Sequence, residues 1–120
     1  MKIAVPVEGL GNDTAVSASF GRAAGFLVFD NGEGTTKILS NDAAQSAGGA
    51  GIRAAQTVVD SGAMILLTPQ CGGNAAKVLL AAGVKLYKTQ PDVSASDNIK
   101  RFLRGELTEL AEIHEGFHGH

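Results

Sequence analysis

The only cysteine of the chain stands in Thr68-Pro69-Gln70-Cys71-Gly72-Gly73-Asn74-Ala75, between an apolar run (63–67) and a helix-like run (75–82). A glycine-rich turn that leaves a buried strand and opens a helix sets several backbone N–H groups toward one point. The helix dipole adds partial positive charge there, so the loop has the chemistry of an anion site. A cysteine in such a place is expected to have a lowered pKa and to be partly thiolate at neutral pH. Gln70, Gly72, Gly73 and Asn74 then form an amide nest, with Cys71 as a candidate metal ligand. The plainer reading is a small buried residue beside a turn that needs glycine.

Catalytic readings of this loop fail on their own spacing rules. A cysteine phosphatase needs an arginine six positions after the nucleophile, to clamp the phosphoryl group in a bidentate way. Lys77 holds that position, and Gln70 stands where a histidine precedes the cysteine. No Gly-Lys-Ser/Thr closes either glycine cluster, which excludes a Walker-type phosphate loop. Cysteine–histidine hydrolysis needs an oriented imidazole, and all three histidines fall in the last seven residues.

Three further constellations carry chemistry. Ser19-Phe20-Gly21-Arg22 ends a long polar connection, where Arg22 is either a cationic clamp beside the cysteine loop or a strap across its own loop. Ser46-Ala47-Gly48-Gly49-Ala50-Gly51, with Arg53 close behind, is a second amide-rich helix start. His114 and His118 are four apart and suit a metal if helical, but Gly116 and Gly119 oppose a helix there. Residues 111–120 therefore read as a flexible tail.

The elements that must position these residues follow from periodicity. "KIAVPV" alternates Ile3, Val5 and Val7 as a first strand, which Pro6 would place at an edge or bulge. "GFLVFD" and "TTKILS" are two more strands joined by the turn "NGEG". Ile52, Ala55, Gln56 and Val59 recur at helical spacing before a Gly62 stop. "AMILLT" is a continuous apolar strand. A helix over 75–82 ends at Gly83, and "VKLYK" is a fifth strand. A last amphipathic helix has Ser94 or Ser96 as its N-cap. The pattern is mixed α/β in one domain over residues 1–110.

Composition narrows the classes. A chain of 120 residues buries roughly 65% of its unfolded surface and needs no staples. One cysteine excludes an internal disulfide and a four-cysteine metal site within one chain. The first residues do not have the charged-then-apolar pattern expected of a leader, and no apolar run approaches the ~18 residues of a membrane span. A soluble, cytoplasmic protein, monomeric or weakly dimeric, is the expectation. A net charge of −2, no Trp and one Tyr argue against nucleic acid as a partner.

In order, "MKIAVPV", "SASFGRAAGFLVFD", "GGAGIRAAQTVVDSGAMILL", "QCGGNAAKVLLAAGVKLYK" and "GEL" resemble the dinitrogenase iron-molybdenum cofactor biosynthesis family. The likeness runs from Met1 to about Leu110. Two departures stand out. Ser19 replaces the histidine of the His-Phe-Gly-Arg found in many members, and Gly72-Gly73, preceded by Cys71, replaces the usual Gly-Pro. The small stand-alone orange-protein branch is the nearer likeness.

That resemblance implies a ribonuclease H-like fold, a five-stranded mixed sheet flanked by helices with the first strand central. It implies a non-catalytic carrier of a metal-sulfur cluster. A molybdenum-copper sulfide is favoured, with an iron-molybdenum cofactor precursor or an iron-sulfur cluster as alternatives. It also implies a link to a MinD-type ATPase, for which the chain could instead be a plain adaptor. The cluster site would draw on Ser19, Phe20, Gly21, Arg22, Gly48, Gly49, Gly51, Arg53, Gln70, Cys71, Gly72, Gly73 and Asn74. A sulfide-rich anion brings its own ligands, so amides, arginines and one soft thiolate could hold it. The enzyme alternative is a two-metal nuclease, for which Glu8 and Asp30 lie near strand ends with no third acid convincingly beside them.

Overall fold

A computed structural model describes residues 1–11, 14–45 and 48–110. Strand β1 (Lys2–Val7) turns Ile3, Val5 and Val7 to one face and Ala4 to the other, as the two-residue period requires. β2 (Gly25–Asp30) and β3 (Thr35–Ser40) follow as a hairpin, and Gly34 closes its turn at φ 71°. A 3-10 turn (Asp42–Gln45) leads to helix α1 (Ala50–Asp60). The chain then alternates β4 (Ile65–Thr68), α2 (Gly73–Ala81), β5 (Lys85–Lys88) and α3 (Ala95–Leu103).

The sheet order is β3-β2-β1-β4-β5. β1–β2 and β2–β3 are antiparallel, whereas β1–β4 and β4–β5 are parallel. This is the ribonuclease H-like mixed sheet, with helices on both faces. One face packs Ala4, Phe26, Val28, Leu66 and Leu86 against Ala54, Ala55 and Val58 of α1 and Ala76 and Leu79 of α2. The other packs Ile3, Val5, Val7 and Leu67 against Ala95 and Ile99 of α3.

Pro6 does not make β1 an edge. The β1–β4 ladder runs through Ile3 and Ala4 and stops before the proline. The Pro6 carbonyl accepts from Ser17 N at 2.9 Å, and N and O of one strand residue point to the same side. The imino nitrogen thus faces away from β2, where no ladder bond is lost.

α1 also differs from its periodicity. Its buried residues are Ala50, Ala54, Ala55 and Val58, whereas Ile52 is 45% exposed and Gln56 donates to Asp60 at the surface. Alanines let α1 approach the sheet and α2 closely, and that fit outweighs the larger side chains. Ser94 is the N-cap of α3, its hydroxyl accepting from Asp97 N at 3.1 Å. After α3 the chain runs back along β5, with Lys88 N donating to Thr108 O and Leu110 N to Leu86 O.

Candidate functional site

β1 and β4 are parallel neighbours whose continuations leave on opposite sides, and a crevice outside the carboxyl ends of such strands is where open α/β sheets bind ligands. A cleft of about 500 Å³ lies at this end. Three segments wall it: Ser19–Gly21 from the loop after β1, the start of α1, and residues 70–75 after β4.

Local bonding explains how each wall is held. The Thr68 hydroxyl, fully buried, donates to Gln70 O at 2.8 Å and turns the chain out of β4. Gln70 Nε2 donates to Ala18 O at 2.9 Å, tying this turn to the loop after β1. Phe20 anchors that loop in the core, its ring 5.4 Å from Phe26. A Cβ on Gly21 would lie 3.1 Å from Gly51 N, and one on Gly51 would lie 3.6 Å from the Ala75 Cβ. Small residues thus let the three walls converge.

Both helices begin without a side-chain cap. Gly49 is the N-cap of α1 and Gly72 that of α2, and neither can supply an acceptor. The first intrahelical bonds are Arg53 N to Gly49 O and Ala76 N to Gly72 O. The amides of Ala50, Gly51 and Ile52, and of Gly73, Asn74 and Ala75, precede those bonds and have no acceptor in their own helix. All six residues line the cleft. Two helix dipoles therefore place their positive ends in one space.

Cationic side chains contribute less than the sequence suggests. Arg22 Nη1 donates to Ala44 O at 2.8 Å, so the guanidinium straps its own loop to the 3-10 turn. Arg53 is exposed on α1. Neither arginine lines the cleft, and neither does Gly48. The other ten expected residues do line it, joined by Ala50, Ile52 and Ala75. Of these three, only Ile52 leaves a signal in the sequence, as a large apolar residue at a helix start.

Cys71 lines the cleft but is only 1% exposed, packed with Phe20 and Ala75. Burial pushes its thiol up from the ordinary 9.0 to about 11, the reverse of the expected lowering, because desolvation of the thiolate outweighs the dipole ahead of it. The folded state keeps the proton after the unfolded chain has lost it. Stability is thus unaffected below about pH 9 and falls between about pH 9 and 11, by on the order of 2 kcal/mol in total. Denaturant titrations of wild type and Cys71→Ala across that range are expected to differ in slope against pH. The intact thiol should also resist alkylation at pH 8 until the protein unfolds.

The nuclease alternative loses its acid pair. Asp30 pairs with Lys2, whereas Glu8 follows Val7 at the other end of β1, roughly 20 Å away at the strand rise. Among the described residues no three His, Cys, Asp or Glu side chains gather where they could hold a metal ion. His114 and His118 lie outside the described residues. Among the described residues the cleft instead presents backbone N–H groups from two helix starts.

No described helix is long and apolar enough to cross a membrane. Among curated proteins none matches the chain. Among solved structures, the apo form of the orange protein from Desulfovibrio gigas is 39% identical, with a TM-score of 0.86 over 92% of each chain. A NifB-like protein from Thermotoga is 30% identical, with a TM-score of 0.82 over 96% of this chain and 97% of that one. The sequence matches the dinitrogenase iron-molybdenum cofactor family over residues 1–105. The likeness thus takes in β1 through α3 and all three walls of the cleft, and the chain belongs to that family.

Proposed function

We propose that the protein carries an anionic metal-sulfur cluster in this cleft and performs no catalysis on it. The observation that supports this reading is the convergence of two uncapped helix N-termini on a space that, among the described residues, no ionised side chain lines. A naked cation would meet N–H dipoles of the wrong sign there. A cluster that brings its own sulfides needs only donors, and six first-turn amides supply them. A molybdenum-copper sulfide suits the site best, since Cys71 puts a soft side chain on the wall, and thiolates favour copper(I). The burial of that thiol makes it a secondary contact, because so little of its surface reaches the cleft.

Reconstitution tests the reading. The full chain is incubated with tetrathiomolybdate and copper(I) and passed through a desalting column. Colour, molybdenum and copper are expected to co-elute with the protein. Cys71→Ala and Arg22→Ala should each weaken retention without abolishing it, because the amides remain. Metal that separates completely from wild type on the column contradicts the proposal.

A further inference from the structure

We infer that Asn41 is a positioning residue of the cleft, holding the loop after β1 against the start of α1 so that the amide donors keep their spacing. This rests on the carrier reading for its functional consequence, though not for its geometry. Asn41 lies where β3 gives way to the 3-10 turn and is only 4% exposed. Its Nδ2 donates to two carbonyls of the cleft loop, Gly21 O at 3.1 Å and Ala23 O at 2.9 Å. Its main-chain N donates to Ala24 O at 3.0 Å, and its own carbonyl accepts from Ala44 N at 3.1 Å. One residue thus pins the loop through three successive contacts. Gly21, the first of them, is also the residue that abuts Gly51 N.

The Asn41 Oδ1 shows what this position supplies. It is buried without a hydrogen-bond partner among the described residues, and such an orphan acceptor costs stability. A residue kept only to fill the space would be apolar and would avoid that cost. Both donors of the amide are used while the acceptor is idle, so the two N–H bonds to the loop are the contribution. Losing them leaves two loop carbonyls unpaired and frees Gly21 to move from α1. The residue touches no cargo and acts through the loop.

The test separates positioning from mere stability. Asn41→Ala is compared with Ile99→Ala, which thins the core on the opposite sheet face. In cargo-free, ¹⁵N-labelled protein, Asn41→Ala should shift the amide signals of Gly21 and Gly51, and Ile99→Ala should not. On the desalting column Asn41→Ala should retain about tenfold less molybdenum and copper, the loss typical of a supporting residue behind a metal site. Ile99→Ala should retain the wild-type amount despite a comparable fall in melting temperature. Should Asn41→Ala not fold, Asn41→Ser, which keeps one donor, takes its place with the same expectations. Unshifted Gly21 and Gly51 signals, or retention that falls in both variants in step with stability, would overturn the inference. If wild type itself retains no metal, the carrier reading fails, and the amide shifts alone decide whether Asn41 positions the loop.

Discussion

Gly72→Asp is expected to make the protein more stable and its cleft unable to hold cargo. Gly72 caps α2 in an extended conformation, φ −69° and ψ 156°, that any N-cap residue adopts. A Cβ there would meet nothing within 4 Å. The fold therefore does not require glycine at this position. An aspartate would accept from the amides of Asn74 or Ala75 and complement the dipole, adding about 0.5–1 kcal/mol and raising the melting temperature by roughly 2–5 °C. The same carboxylate would occupy the donors proposed to hold the cluster and repel an anionic cargo. At 4 Å and an effective dielectric of 20, like unit charges cost about 4 kcal/mol, so retention should fall by roughly 100-fold or more. Gly72→Asn, which caps without charge, should fall between wild type and aspartate. Opposite signs for melting temperature and metal retention identify a position kept for binding and not for folding.

Gly25→Ala should do the reverse, harming the fold first. A Cβ on Gly25 would lie 2.4 Å from Leu39 O and 2.7 Å from the Leu10 Cδ2. The leucine side chain can turn away, but the carbonyl belongs to β3, paired with β2 along its whole length. Relief requires prying the hairpin apart at the end where β2 leaves the cleft loop. Overpacking of this kind costs about 3 kcal/mol, which thermal unfolding should read as a drop of roughly 10 °C in this size of domain. A melting temperature within 2 °C of wild type, a shift below about 1 kcal/mol, would show that the strand edge is looser than the contacts imply.

These two glycines show how far the chain could be read without coordinates. Strands are legible because apolar alternation and turn residues are local properties, and the buried runs of β1, β2 and β4 carry them plainly. Both helix starts are legible because glycine at an N-cap is a local signal too. Which glycine serves the fold and which serves the site is not legible. Gly25 is required by an oxygen of Leu39, fourteen residues on, and Gly72 by no protein atom at all.

The misread positions share that cause. Pro6 suggests an edge until one sees that its ladder has already ended at Ala4. Arg22 reads equally as a clamp or a strap, and only its bond to Ala44 O across the loop decides for the strap. Cys71 suggests a thiolate, because the dipole is visible in sequence and the packing that desolvates it is not. Asn41, with no chemistry obvious from its neighbours, gains its role from carbonyls about twenty residues earlier.

The central claim, that the first-turn amides of α1 and α2 hold the cargo, is tested most directly by titrating ¹⁵N-labelled full-length protein with tetrathiomolybdate and copper(I). The amide protons of Gly51, Ile52, Gly73, Asn74 and Ala75 should move together and saturate with metal content, while those of α3 stay in place. Saturable binding that leaves these five amides unmoved and perturbs other residues instead would contradict the account.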